Sequence, residues 1–347
     1  MTLNSLSIVG GSRWARQIAL TLNSLLSAET QITLHSQHNS DNIQDWIKHN
    51  NLNRVNVVNT YPFHFDSIKP FALIVVNESR KHFPIAIQSL SCGIPTFVEK
   101  PISLAAYDAE QLLNTASRFN TPLCASNVFM FAEYLIEFFR SLKNTGEINE
   151  VDIVWCDKRD ESRYGEVKKF DASITVLHDV MPHIVSLIKM LLPEKLKLNN
   201  LHIFRGGAET DLQLSTNQVN INVKIARNSR KRVRKVRVNN TTGIFELDFS
   251  DESNMFITNF ASRNVQKISL TPDGALHNMM KAFLNVVQKK QNDFDSRLSP
   301  VIALEACQLC DISIKQYKKL QLEWLASEKN TACTDDLNYA VRELVSS

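Results

Sequence analysis

Strand-like and helix-like patterns alternate through the first third of the chain, and that alternation limits the fold more than any other feature. Residues 6–9 form a short apolar run ending in a Gly-Gly turn. A helical stretch follows, with Trp14, Ile18, Leu22 and Leu25 spaced at four, four and three. Residues 31–34 and 56–58 read as the second and third strands. Residues 72–76, ALIVV, are a continuous apolar run of the kind a parallel strand buried on both faces requires. Residues 83–90 read as a helix stopped by Gly93 and Pro95, 96–98 as a further strand and 105–116 as a further helix. Repeated strand–helix units joined by right-handed crossovers give a doubly wound parallel sheet.

After about residue 125 the pattern changes. Residues 151–155, 219–226, 234–238, 244–249, 255–260 and 265–270 are strand candidates separated by turns with few helices, which points to a largely antiparallel sheet. Two helices close the main body. One covers 276–288 with Met280, Phe283, Leu284 and Val287 on one face, and the other starts at Ser299-Pro300, an N-cap followed by proline, and continues past Ile314. The tail from Ser327 offers one short helix. A chain of 347 residues suits two domains. The expected architecture is α/β: a doubly wound parallel sheet over 1–124, then an α/β domain with a large, mostly antiparallel open sheet over 125–347.

Charge and cysteine usage narrow the partners. A net charge of +3 gives no electrostatic reason for a nucleic-acid or membrane partner. No apolar run approaches the roughly 20 residues that span a bilayer, and residues 1–8 lack a signal peptide's basic region. Six scattered cysteines favour a reducing, cytoplasmic location. Cys307 and Cys310 share one face of an apolar helix with no second ligand pair, so packing is expected there and no metal. The basic run 227–238 ends by alternating: Val236 and Val238 point one way, Lys235 and Arg237 the other. The following strand sets Glu246 and Asp248 opposite its own Phe245, Leu247 and Phe249, so cross-strand ion pairs are expected rather than a nucleic-acid surface.

The turn SIVGGSRWARQIA, residues 7–19, has the spacing of a dinucleotide fingerprint with Gly10 in the first place, Ser12 in the second and Ala15 in the third. Glycine serves a tight turn, close approach of the pyrophosphate and helix–strand packing at those places, and the helix N-terminus supplies free N–H groups. At the end of the second strand an NAD site carries Asp or Glu; here stand Ser36 and His38, with no acid before Asp41. Without that carboxylate a 2′-phosphate meets no repulsion, and Arg13 adds a cation. NADP is therefore the expected cofactor, with NAD the alternative.

TFVEKPIS, residues 96–103, places Glu99-Lys100-Pro101 at the carboxyl end of a parallel strand, where open α/β sheets bind ligands. The fingerprint, VVNESRKH over 75–82, the Glu-Lys-Pro triplet and a following sheet domain together resemble the Gfo/Idh/MocA oxidoreductase family. The resemblance implies a Rossmann domain joined to an α/β domain and a nicotinamide cofactor. It also implies a small sugar-like substrate, and pairing into a homodimer or homotetramer through the exposed sheet face. It implies cofactor contacts at Gly10, Gly11, Ser12, Arg13, Trp14, Ala15, Ser36, His38, Asn77, His82, Glu99 and Lys100. It further implies an Asp-x-Gly-x-His motif. LHDVMPHIVSLIKML, residues 177–191, supplies Asp179 and His183, with Met181 in place of the glycine and Ser186 where an acid is often found. Four residues apart, the two side chains share a helix face.

Hydride transfer at a carbinol carbon needs a group to take the oxygen's proton. The family roles fall to His183 as acid or base, Asp179 to orient it, and Lys100 to favour charge on the reacting oxygen. The charged stretch over 156–171 reads as a solvated loop. Its alternative sets Arg159, Arg163 or Tyr164 at a pocket rim to meet a phosphate or carboxylate, as on a nucleotide-linked sugar. Two other functions compete. GSRWAR also looks like the turn of thiazolinyl imine reductases, which lack the lysine of Glu-Lys-Pro, and a nucleotide-sensing regulator would keep the fold without the chemistry.

Overall fold

Short strands of three to five residues, most of them apolar and followed by a helix, assemble the first sheet. The structure, a computed structural model, describes residues 5–60, 69–163, 166–167, 171, 173–251, 255–268, 274–288, 294–327 and 334–346. The elements run β1 (Ser5–Val9), α1 (Arg13–Leu25), β2 (Gln31–His35), α2 (Ser40–His49), β3 (Val55–Val58), β4 (Ala72–Val75), α3 (His82–Ser91), β5 (Thr96–Val98), α4 (Ala106–Arg118) and β6 (Leu123–Ala125). The strand order is β3-β2-β1-β4-β5-β6, all parallel, so the order reverses between β1 and β4. Loops leaving the carboxyl ends of those two central strands flank the crevice at which such sheets bind ligands.

Local packing differs slightly from the expected stripe. Helix α1 buries Ala15, Ile18, Ala19 and Leu22, one position round from the face led by Trp14. Alanine at 15 and 19 lets the helix lie close on the sheet, and the Trp14 indole is turned aside for another use. On the other side, Val9, Val75 and Val98 pack with Ile85, Leu90 and Leu112 of α3 and α4.

The second sheet follows α5 (Glu133–Leu142). Its elements are β7 (Ile148–Lys158), the short pair β8 (Ser162–Arg163) and β9 (Glu166–Val167), α6 (Val176–Lys189), β10 (Lys197–Phe204), β11 (Glu209–Ser215), β12 (Asn220–Ser229), β13 (Val233–Asn240), β14 (Gly243–Asp248), β15 (Met255–Asn259) and β16 (Asn264–Ile268). Eight of these strands form one sheet in the order β10-β11-β12-β7-β13-β14-β15-β16. Every pairing is antiparallel except β12 with β7. Lys235 stands opposite Asp248 and Arg237 opposite Glu246, with ion pairs of 2.9 Å and 2.7 Å. The basic run is thus a sheet face with its own counter-charges, while Val236 and Val238 point into the core.

Three helices complete the chain: α7 (Ala275–Val287), α8 (Pro300–Ser327) and α9 (Thr334–Ser346). The chain divides into two units, Met1–Phe131 with Asp273–Cys307, and Ala132–Pro272 with Gln308–Ser347. This differs from a single cut at 124/125, because 273–307 return to the first unit. Cys307 and Cys310 are both buried in α8, and the Cys307 thiol donates to the Ser103 carbonyl, as packing cysteines do. Among the described residues, no helix is long and apolar enough to cross a membrane.

Candidate functional site

In the first unit the turn after β1 is built around two glycines. Gly10 has φ +145, and a Cβ there would lie 2.6 Å from the Val76 carbonyl oxygen. Its N–H donates to the His35 carbonyl at 3.0 Å, so this one residue joins the ends of β1, β2 and β4. A Cβ on Gly11 would overlap Ser36 Oγ and come within 2.8 Å of Ile43 Cδ1. Asn39 Nδ2 donates to the Gly11 carbonyl at 3.3 Å, a contact the sequence reading missed. Ser12, in the second glycine's place, is the N-cap of α1: its Oγ accepts from Ala15 N at 3.4 Å. The hydroxyl proton stays available to an acceptor, and the first turn of α1 holds no acidic residue. Ala15 is fully buried between helix and sheet, as the third place requires.

The end of β2 carries no carboxylate. Ser36 is buried beneath Gly11, His38 is exposed, and the first acid is Asp41 in the opening turn of α2. Beyond β4, Asn77 Oδ1 is buried without a hydrogen-bond partner among the described residues. Such an atom carries a desolvation cost unless a ligand supplies a donor. At the end of β5, Glu99 Oε2 accepts from Trp14 Nε1 at 3.0 Å. Burial raises the Glu99 pKa, against hydrogen bonds from Ser126 and Trp14. Lys100 follows, joined to Pro101 by a cis peptide bond. The glycine cradle, the carboxylate-free helix start and the unmet Asn77 oxygen fit a nicotinamide dinucleotide.

His82, expected at the cofactor site, stands between the loops after β4 and β5. It is 1% exposed, with Nδ1 2.8 Å from the Pro101 carbonyl and Nε2 3.2 Å from that of Asn77. Burial lowers its pKa, against hydrogen bonds with the Pro101 and Asn77 carbonyls, and the ring links the loops after β4 and β5. His35, whose Nε2 lies 3.3 Å from Ser7 Oγ, is held to a pKa of about 4 by burial, opposed by a hydrogen bond with the Thr60 backbone. A folded pKa below the unfolded value means the unfolded chain binds the extra proton. His35 therefore costs no stability above about pH 6.5 and removes it as pH falls towards 4. His35→Gln is expected to shrink the loss of urea stability between pH 7 and pH 5 by about 1 kcal/mol. An unchanged loss would show that the neutral ring is not the source.

The second unit carries its own cluster on α6. Thr175 caps the helix, accepting from His178 N, and Asp179 and His183 follow one turn apart, around Pro182. Asp179 Oδ2 accepts from Arg227 Nη2 at 3.0 Å. Arg227, on β12, is 1% exposed and also donates to the carbonyls of Ile174 at 3.0 Å and Thr175 at 3.2 Å. Burial opposes its charge, and Asp179, Tyr339, Glu343 and Tyr317 together more than offset it. The His183 ring stacks on Trp155, 5.1 Å between centroids at 24°, and the Arg234 guanidinium lies 3.8 Å from the same indole. Arg234 is fixed by Asp157 and the Cys156 carbonyl.

Residues 6–125 match the sequence model of Gfo/Idh/MocA, described as an oxidoreductase family with an NAD-binding Rossmann fold. The matched stretch runs from β1 to β6, the whole of the first sheet. No curated protein matches the chain by sequence. Solved structures share its fold at low identity. UDP-N-acetylglucosamine 3-dehydrogenase GnnA from Acidithiobacillus ferrooxidans matches with a TM-score of 0.70 at 14% identity, covering 92% of this chain and 100% of that one. KijD10, a 3-ketoreductase from Actinomadura kijaniata in complex with NADP and TDP-benzene, matches with a TM-score of 0.72 at 14% identity, covering 90% and 97%. A putative NADPH-dependent oxidoreductase from Desulfitobacterium hafniense gives a TM-score of 0.72 at 14% identity, covering 92% and 97%.

Two positions of α6 that depart from the expected Asp-x-Gly-x-His pattern are both buried. Met181, in the glycine's place, is fully buried. Ser186, in the acid's place, is buried and donates to the His183 carbonyl at 2.8 Å, which turns it back into its own helix. Arg159, which the alternative reading set at a pocket rim, pairs with Asp335 of α9 at 2.6 Å. The Arg163 side chain and Tyr164 lie outside the described residues.

Proposed function

We propose that this chain is an NADP-preferring oxidoreductase that interconverts a hydroxyl and a ketone on a sugar-like substrate. The turn between β1 and α1 carries the reading. Two glycines stand where any side chain would collide, and the helix start behind them holds no acidic residue, an arrangement suited to a pyrophosphate. Ser36 and His38 put no negative charge beside a 2′-phosphate, and Arg13 supplies a cation. Asn77 Oδ1 accepts from an amide or hydroxyl of the bound cofactor. The nicotinamide supplies the hydride donor or acceptor when bound.

Lys100, at the carboxyl end of β5, stabilises charge developing on the substrate oxygen. His183 gives or takes the proton of that oxygen, a task suited to an imidazole near neutral pH. Asp179, tied to Arg227, holds the turn of α6 that presents it. The printed activities of GnnA and KijD10, with the NADP and TDP-benzene bound to the latter, support a nucleotide-linked sugar as the substrate class. Lys100 counts against the thiazolinyl imine reductases.

A panel of free and nucleotide-linked ketosugars, followed by NADPH oxidation, tests the reading. Lys100→Met is expected to keep NADPH affinity within a few-fold and to lose about 100-fold or more in turnover. Turnover of Lys100→Met at the wild-type rate would sink the assignment of that residue.

A further inference from the structure

The C-terminal helix reaches the Asp179–His183 helix through one buried carboxylate. Glu343, on α9, is 2% exposed. Its Oε1 accepts from Val176 N at 3.0 Å and Tyr339 OH at 2.8 Å. Its Oε2 accepts from Tyr317 OH at 2.5 Å and Gln321 Nε2 at 2.9 Å, both on α8. Arg227 Nη1 lies 3.8 Å from Oε1, while Nη2 of the same guanidinium holds Asp179. Val176 opens α6, so the carboxylate answers an N–H that the helix itself leaves unmet, at the end where negative charge is favoured.

The seat for α9 is built to fit. A Cβ on Gly206 would lie 2.8 Å from Ala340 Cβ, and Asp336 and Asp335 tie the start of the helix to Arg205 and Arg159. An apolar side chain would fasten α9 at less desolvation cost than a carboxylate. The carboxylate does something an apolar residue cannot: two acids share one guanidinium, and the trio keeps an excess negative charge beside the first turn of α6.

We propose that Glu343 is a positioning residue for the Asp179–His183 pair: it fixes the first turn of α6 through Val176 N and holds Arg227 against Asp179. The C-terminal helix thereby sets the geometry and charge balance of that pair. Its catalytic meaning rests on the oxidoreductase reading, but its test needs no substrate.

The experiment is a ring-nitrogen NMR titration of His183 in the full chain, with NADPH affinity measured alongside. Glu343→Gln keeps the side chain's size and removes its charge. The charged groups around Glu343 are Arg227 and, through it, Asp179, with the phenols of Tyr317 and Tyr339 pushed up by burial. Among the described residues, those near His183 include Asp179 on its own helix, and Arg234 with Asp157 beyond Trp155; all are present in every variant. Losing one carboxylate weakens the field that favours an imidazolium. The His183 midpoint is expected to fall by about 0.5 or more in Glu343→Gln and to recover in Glu343→Asp, with NADPH affinity unchanged. An unmoved midpoint in folded Glu343→Gln overturns the proposal.

Should Glu343→Gln not fold, native-state hydrogen exchange on the wild-type protein decides. Amides of α9 and of the first turn of α6 are expected to lose protection in one opening event. Opening of α9 that leaves α6 protected overturns the coupling. Failure of the wild-type protein to bind NADPH would remove the oxidoreductase reading and leave this one to its own result.

Discussion

Gly10→Ala is expected to lose at least about 100-fold in NADPH affinity while the second unit stays folded. The φ of +145 lies where any side chain costs roughly 1–3 kcal/mol. The new methyl would also sit 2.6 Å from the Val76 carbonyl oxygen, which belongs to backbone and cannot rotate away. Relief requires the turn to lift off the end of β4, taking the start of α1 and the Asn77 loop out of register. Gly93 is the control: its φ of +73 carries a similar backbone cost, but nothing lies within 4 Å of its Cβ position. Gly93→Ala should destabilise by about 1 kcal/mol and leave nucleotide binding intact. Nicotinamide fluorescence and urea unfolding separate the two effects. Wild-type affinity in Gly10→Ala would show that the turn does not cradle the nucleotide.

Arg227→Met is expected to be the most damaging single change in the second unit, at about 3–5 kcal/mol. It removes the donors to the Ile174 and Thr175 carbonyls and leaves the carboxylates of Asp179 and Glu343 without their shared cation. The sign of the pH dependence follows. In the variant, protonation relieves the uncompensated charge, so the folded chain binds protons that the unfolded chain releases. Stability therefore falls as pH rises, and the deficit against wild type should be smaller at pH 5.5 than at pH 7.5. Urea unfolding at the two pH values reads this directly. A deficit independent of pH would mean that lost packing of the Arg227 stem, rather than charge, dominates.

Much of the first unit was legible in the sequence because its strands are short apolar runs and its turns carry glycine. Helix α2 was not, since only Ile43 and Ile47 of its ten residues are buried and the rest read as a polar loop. In the second unit the central strands show clean alternation, and the ion pairs between β13 and β14 could be placed from it. Strands β10 and β11 escaped notice because a register shift between Leu198 and Asn200 breaks the period of two, and because polar residues are half of β10 and outnumber apolar ones in β11.

The candidate site divides in the same way. Gly10, Ala15 and the acid-free end of β2 follow from local rules of backbone and charge. The roles of Trp14, His82 and Arg227 depend on partners 85, 19 and 48 positions away, which no spacing reveals. The tail is the largest omission. Its pattern gave one short helix, whereas α9 buries Tyr339, Ala340 and Glu343 against the second unit. A buried glutamate in a polar-looking helix resembles solvated surface until its four hydrogen-bond donors are in view.

The central claim is that the altered fingerprint is a working NADP site. Titration of the purified protein with NADPH and with NADH, followed by nicotinamide fluorescence, tests it most directly. The account predicts saturable binding of NADPH and at least tenfold weaker binding of NADH, because no carboxylate receives the adenosine ribose and none repels the 2′-phosphate. Absence of binding by either nucleotide to demonstrably folded protein would contradict it.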